Sequence, residues 1–155
     1  MPPTEEENAA LVRRYLLDVV DGGDVDARDI LLAADVGAAT LYTDDQGGDH
    51  YLQWLSRGIL AAADVDVHVE ELVADEDRVA VRCRISGTLA GVAIEPHLIG
   101  RTFTMDHVGF YEVQNDQITE MWSLADKLGL VSQLGLLPEG THDIPRGTGQ
   151  HRKRK

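Results

Sequence analysis

The chain has 155 residues, of which 43% are hydrophobic and 26% are charged, so its length argues against several domains and its composition against disorder throughout. Its 27 acidic and 14 basic residues give a net charge of −13, and because five basic residues lie in the last ten positions, residues 1–145 carry −18. Such an acidic body repels nucleic-acid phosphates and anionic lipids, so we expect neither nucleic acid nor a membrane as a partner.

The first third of the chain has the apolar spacing of helices. Thr4 and Glu7 form a capping-box motif at the start of the first helix. In the second helix, Ile30, Leu31 and Ala34 are predicted to face inward. Residues 35–48 after it predict a loop with a short strand. The three predicted helices cover residues 4–20, 26–34 and 50–62.

From residue 64 onward apolar and polar residues alternate, which is the pattern of strands with one buried face. His107 shares one predicted face with Met105 and Tyr111, and Asp126 shares another with Trp122 and Leu124. Turns are predicted at residues 75–77 and at 115–116. The strands themselves are predicted over residues 65–69, 79–85, 103–113 and 118–126.

Residues 127–136 predict a terminal helix that closes the sheet, and from Pro138 onward the periodicity is lost. We therefore expect one domain over residues 1–138 and a disordered tail with a basic end over residues 139–155. Helices followed by an antiparallel meander indicate an α+β fold. In it the N-terminal helices pack on one face of a curved antiparallel sheet, and the resulting cone encloses a pocket.

Signals for targeting, redox chemistry and cofactors are missing from the sequence. There is no apolar stretch long enough to span a membrane and no signal peptide, so we expect a cytoplasmic protein. The single cysteine, Cys83, cannot form an internal disulfide and is interpreted as a buried thiol. Nucleotide-binding and zinc-protease motifs do not occur, and the six histidines lack metal-ligand spacing, so we predict neither a cofactor nor a metal site.

Two titratable side chains fall where strand parity predicts burial. Burial would raise the pKa of Asp126 and allow it to exchange protons near neutrality, while His107 could donate a hydrogen bond to a developing oxyanion. Each residue also has a structural alternative, because Asp126 precedes the terminal helix as an N-cap would, and His107 could be a satisfied core histidine. The candidates for lining the pocket are Tyr15, Trp54, Met105 and Trp122, which could equally be core residues.

Several segments together resemble a known family. They are residues 77–82, residues 100–104 and above all the ending Glu120-x-Trp122-x-x-x-Asp126-x-Leu-Gly-Leu-x-x-Gln-Leu-Gly135. This pattern is similar to that of the SnoaL-like polyketide cyclases, the ester cyclase branch of the nuclear transport factor two-like superfamily. The likeness covers residues 7–138 and implies the same α+β cone.

The resemblance also implies a chemistry. In the family's cyclases the aspartate matching Asp126 is the general acid/base of an intramolecular aldol closure, and a histidine matching His107 polarises the carbonyl oxygen. The substrate's own carbonyl groups delocalise the carbanion, so no cofactor or metal is implied. The fold also occurs in binding proteins and other enzymes, so it does not specify a substrate.

Two functions are favoured from the sequence, and an epoxide hydrolase is less favoured because it needs two carboxylates and an arginine that converge on a water molecule. The first is a cofactor-free cyclase, isomerase or lyase that acts on a small carbonyl compound through Asp126 and His107. The alternative is a non-catalytic small-molecule-binding or dimer-scaffold protein in which Asp126 is only a helix cap. Under either function the outer face of the sheet is uncovered, and relatives bury that face, so we expect a homodimer or tetramer.

The charge pattern generates a prediction about salt. Aspartate (17) exceeds glutamate (10) and only three residues are lysine, a balance that resembles halophilic proteins. Because the Debye length falls from ~30 Å at 0.01 M to ~3 Å at 1 M, added salt should screen the self-repulsion and raise the melting temperature. Thermal unfolding measured across that range tests this, and a constant melting temperature would contradict the halophilic interpretation.

Overall fold

The computed structural model describes residues 4–40, 62–90 and 96–135. Its helices are α1 (Glu5–Arg14), which continues as a π-helical segment (Tyr15–Asp21), α2 (Val25–Leu31) and α3 (Lys127–Gln133), with a 3-10 turn at Pro96–Leu98. Its strands are β1 (Leu32–Thr40), β2 (Ala62–Asp75), β3 (Arg78–Leu89), β4 (Thr102–Gln114) and β5 (Gln117–Ala125). Among these residues no helix combines the length and the apolar character needed to cross a membrane.

The first helix begins where the capping box predicts. The Glu7 N–H donates to Thr4 Oγ1 at 3.2 Å, and the Glu7 carboxylate accepts from the Thr4 N–H at 2.7 Å. Further along α1, the buried Asn8 side chain donates to the Glu76 carbonyl at 2.9 Å. This bond ties the helix to the turn between β2 and β3, and so fixes α1 against the sheet.

The strands form one five-stranded sheet in the order β1-β5-β4-β3-β2. Strands β2 to β5 make the predicted antiparallel meander, and β1 adds to the edge of β5 in parallel orientation. The sheet is curved and unclosed, with irregular pairing in β1, β2 and β5. Such bulges bend a sheet locally. The predicted α+β fold, with N-terminal helices packed on a curved sheet, is confirmed.

The second predicted helix is too long. Helix α2 ends at Leu31 and the backbone becomes extended at Leu32, which pairs with Ile118 of β5. Leu31 is buried as predicted, whereas Ile30 is 60% exposed and Ala34 is exposed, so the prediction that these two face inward is wrong. Pairing with β5 outweighs the helical spacing here, because tertiary contacts override weak local preferences. The third predicted helix, apart from Ala62 at the start of β2, and the predicted tail lie outside the described residues.

A bulge in β5 reverses the predicted orientation of its second half. Val113 pairs with Ile118 but Glu112 pairs with Glu120, which leaves Thr119 as an extra residue. A one-residue shift exchanges the two faces of a strand. Beyond the bulge Met121 is 7% exposed and faces the core, while Trp122 and Leu124 are 38% and 37% exposed on the outer face. The predicted burial of these last two is therefore wrong.

Helix α3 is fastened to β4 by side chains of the C-terminal motif. The Gln133 side-chain amide accepts from the Thr104 N–H at 3.0 Å and donates to the Thr104 carbonyl at 2.7 Å. Arg101 donates to the Leu134 carbonyl at 3.0 Å, and Gly135 follows with a φ of +71°. A positive φ is accessible to glycine without a steric cost. These contacts extend the hydrogen bonding of β4 beyond the end of β5.

Candidate functional site

The inner face of the sheet carries one buried titratable imidazole. His107, in β4, is 6% exposed and pairs directly with Cys83 in β3 on one side and Ala125 in β5 on the other. Met105 and Tyr111 occupy further inward positions of β4 and are also buried. Regular pairing of β3 with β4 thus brings His107 into apolar surroundings at the centre of the sheet.

The Cys83 thiol is the immediate polar neighbour of His107. Its Sγ lies 3.6 Å from Nδ1 of the imidazole. Burial, with a smaller effect from the charge of Asp106, raises the pKa of Cys83 to about 11. Burial lowers the pKa of His107 to about 4. Near neutral pH the pair therefore consists of a neutral thiol and a neutral imidazole, because both charged forms are poorly solvated at this position.

Two tyrosines extend this cluster. Tyr111 bends over Gly109, where a Cβ would lie only 2.7 Å from the Tyr111 hydroxyl, so the glycine leaves room for the ring on the side of His107. Burial, and to a lesser degree Cys83, raises the pKa of Tyr111 above its usual range. The ring of Tyr15 meets the ring of Tyr111 edge-on, with centroids 5.9 Å apart. The hydroxyl of Tyr111 thus remains protonated and lies beside Gly109 of β4.

The structure brings together some of the predicted pocket residues and separates others. Tyr15 and Met105 are buried with His107 on the inner side of the sheet. Trp122 lies on the opposite face, with its ring 5.9 Å from that of Phe110, so it does not meet the His107 cluster. Trp54 lies outside the described residues.

Asp126 takes the structural role that the sequence left open. Its carboxylate accepts from the Gly129 N–H at 2.8 Å and caps α3, and its side chain is exposed. A Cβ at Gly129 would overlap that carboxylate, which explains a glycine at this helical position. The predicted burial of Asp126 is wrong because the bulge at Thr119 changes the parity of β5. The helix-cap interpretation is confirmed, and the catalytic role stays a prediction.

Sequence reasoning missed the pairing of Cys83 with His107. Alternation places each residue on an apolar face, yet the two strands are joined by a long connection that does not specify the register. Only the pairing of the strands shows that the residues stand opposite each other. Within the residues that the structure describes, no three His, Cys, Asp or Glu side chains are grouped to hold a metal ion.

Comparison with known proteins gives both a family and a fold. Residues 10–134 match the family described as SnoaL-like polyketide cyclase. No match was found among curated proteins.

Solved structures from several bacteria share the fold. AclR of Streptomyces galilaeus has a TM-score of 0.76 and 20% identity, covering 92% of this chain and 91% of that one. IdmH of Streptomyces antibioticus has a TM-score of 0.68 and 22% identity, covering 83% of this chain and 98% of that one. An LEH-like epoxide hydrolase of M. tuberculosis has a TM-score of 0.65 and 18% identity, covering 85% of this chain and 92% of that one. At these low sequence identities the structural similarity shows a shared fold alone.

The buried imidazole generates a prediction about pH. Unfolding raises the pKa of His107 from about 4 to its ordinary 6.5, so the unfolded chain binds a proton between these values that the folded chain does not. The free energy of unfolding should therefore fall as pH decreases through this window, by on the order of 3 kcal/mol from this residue alone. In His107→Asn that contribution should be absent.

Urea denaturation between pH 7 and pH 4 measures this difference. His68→Asn is the matched control, because His68 is exposed on β2. The control should follow the wild-type pH dependence, whereas His107→Asn should show a shallower one. Parallel curves for wild type and His107→Asn would contradict the burial of an uncharged imidazole.

Proposed function

Because the chain belongs to the SnoaL-like polyketide cyclase family, we propose that it is a cofactor-independent cyclase or isomerase acting on a small, polyketide-like carbonyl compound. The observation that carries the proposal is the neutral imidazole of His107 on the apolar inner face of the sheet. An uncharged donor in such surroundings is suited to an oxygen that gains negative charge during a reaction.

In this proposal His107 donates a hydrogen bond to a substrate carbonyl oxygen. Removal of a proton from the adjacent carbon creates a carbanion, whose charge moves onto that oxygen as an enolate. The hydrogen bond strengthens as the charge develops, and the surrounding apolar side chains increase its effect because they exclude water. For ring closure the carbanion attacks a second carbonyl carbon, and the oxygen of that carbonyl takes up the proton that was removed. For isomerisation the carbanion is reprotonated at another carbon.

Asp126 is the proposed proton-transferring group. Asp126 directly follows Ala125, the residue of β5 that pairs with His107. The same residue also supports the second candidate function, a non-catalytic binding protein, because its exposed carboxylate is engaged in capping α3. The two functions therefore differ in whether Asp126 does more than cap the helix.

Substitution of Asp126 separates the two candidates. If Asp126 transfers protons, Asp126→Asn should keep the fold, because asparagine also caps helices, while turnover falls by ~10²–10⁴. If it is a cap alone, Asp126→Asn should change little, and Asp126→Ala should cost about 0.5–2 kcal/mol of stability. Melting temperature and turnover of enolisable β-dicarbonyl and polyketide-like compounds are measured on both variants.

The chain supplies a matched control for this experiment. Asp24 caps α2 by accepting from the Ala27 N–H at 2.9 Å, the same interaction that Asp126 makes with Gly129. Asp24→Asn should retain full turnover under either function. Full turnover in Asp126→Asn as well would end the catalytic role of this aspartate, and binding without turnover in the wild type would favour the binding protein.

We also propose that the outer face of the sheet is buried in a homodimer. Four apolar side chains of β4 and β5 lie there, Val108 opposite Leu124 and Phe110 opposite Trp122, and three of the four are exposed. Beside them run paired charges, including Arg82 with Glu71 at 3.1 Å and Arg84 with Asp106 at 3.5 Å. A face that combines both charge signs with an apolar centre is suited to a second copy of itself.

Trp122→Glu tests this assembly. A carboxylate in the centre of the apolar patch should disrupt the interface, so light scattering should give two subunit masses for the wild type and one for the variant. Val25→Glu is the control, since Val25 is exposed on α2, away from this face, and should leave the mass unchanged. A wild-type protein with one subunit mass at high concentration and high salt would refute the proposal.

A further inference from the structure

The thiol of Cys83 has no role in the chemistry proposed above, although it faces the group at its centre. Cys83 and His107 are directly opposed in the β3–β4 pairing, and both side chains are buried on the inner face. The Sγ to Nδ1 distance of 3.6 Å is within hydrogen-bonding range for sulfur. One ring nitrogen of His107 is therefore already engaged before any ligand is bound.

The direction of this hydrogen bond follows from the chemistry of the two groups. A thiol is a weak donor and a weak acceptor, whereas the unprotonated nitrogen of an imidazole is a good acceptor. The bond from the thiol S–H to Nδ1 uses that better acceptor, and the reverse bond would direct an imidazole N–H at a poor one. Since the pair is buried, water is not available to compensate for the weaker arrangement.

We propose that Cys83 is a positioning residue, which fixes His107 in the tautomer with its proton on Nε2. The partner of one ring nitrogen sets the protonation of the other, as in other histidine sites. The engaged Nδ1 cannot receive a substrate proton, and Nε2 presents an N–H donor. Within the parts of the chain that the structure describes, the only hydrogen-bond partner of the imidazole is Cys83.

The proton on Nε2 restricts which groups of a ligand His107 can bind. This step rests on the proposed function. An N–H donor at Nε2 binds an acceptor such as a carbonyl or enolate oxygen. It cannot accept a hydrogen bond from a hydroxyl or an ammonium group, and it does not act as the base that removes a proton. His107 is therefore assigned to the oxygen of the substrate, and proton removal from carbon falls to another group.

Nuclear magnetic resonance of histidine labelled with ¹⁵N in the ring tests the tautomer directly, on the full chain and without a ligand. The His107 signals are assigned by their loss in His107→Asn. At pH 7 the wild type should show a protonated Nε2 and an unprotonated Nδ1. A proton on Nδ1 in the wild type would overturn the inference whatever the variants do.

Three variants of β3 separate positioning from packing. Cys83→Ala removes the S–H donor and should lower the ratio of Nε2–H to Nδ1–H tautomer by about threefold to tenfold, the effect of one modest hydrogen bond. Cys83→Ser keeps a donor and should retain the wild-type tautomer. Val81→Ala, at the preceding inward position, removes buried apolar volume without altering the pair and should also retain it.

The outcomes distinguish this inference from the proposed function. An unchanged tautomer ratio in folded Cys83→Ala would overturn the positioning role, and so would a ratio in Val81→Ala that falls as far. If Cys83→Ala does not fold, Cys83→Val replaces it, because valine fills the site and also lacks a donor. If the tautomer pattern is as expected but no carbonyl compound is turned over, the proposed function fails and the role of Cys83 stands.

Discussion

Burying an imidazole among apolar side chains costs free energy. The residues around His107 lower this cost. A charged His107 would lose its hydration on the inner face of the sheet, so the ring is held uncharged. Its neutral form still has two polar nitrogens, one of which is satisfied by Cys83. Gly109 leaves space for the ring of Tyr111 on the same strand. Burial raises the pKa of both Cys83 and Tyr111, so these neighbouring side chains are uncharged near neutral pH.

Four positions of the C-terminal motif have a structural explanation. The Asp126 carboxylate caps α3, Gly129 leaves room for that carboxylate, and Gln133 pairs with the backbone of Thr104. Gly135 then permits a left-handed backbone at the end of the helix. These residues therefore attach α3 to the sheet, and the presence of the motif alone does not assign a catalytic role to Asp126. A carboxylate can perform both functions only if proton transfer is compatible with its hydrogen bond to Gly129.

The parts of the fold that could be predicted are those in which local spacing and global packing agree. The capping box at Thr4, the alternation in β3 and β4 and the turn at residues 115–116 all follow from short sequence patterns. The parallel edge strand β1 could not be predicted, because its pairing with β5 depends on a partner about 85 residues away. The cluster around His107 was predicted only in part, since alternation shows which residues face inward but not which strands place them together.

The single extra residue at Thr119 decides which side chains of β5 face His107. Without it, continued alternation from Ile118 would place Trp122 and Asp126 on the inner face with His107; with it, Met121 and Ala125 take those positions. The exposed rings of Trp122 and Phe110 then lie on the outer face beside the arginine–carboxylate pairs of β2, β3 and β4. The bulge thus places Trp122 on the outer face of the sheet, whereas the sequence pattern predicts it on the inner face with His107. In our proposals the outer face serves assembly, and the buried imidazole serves the oxygen of the ligand.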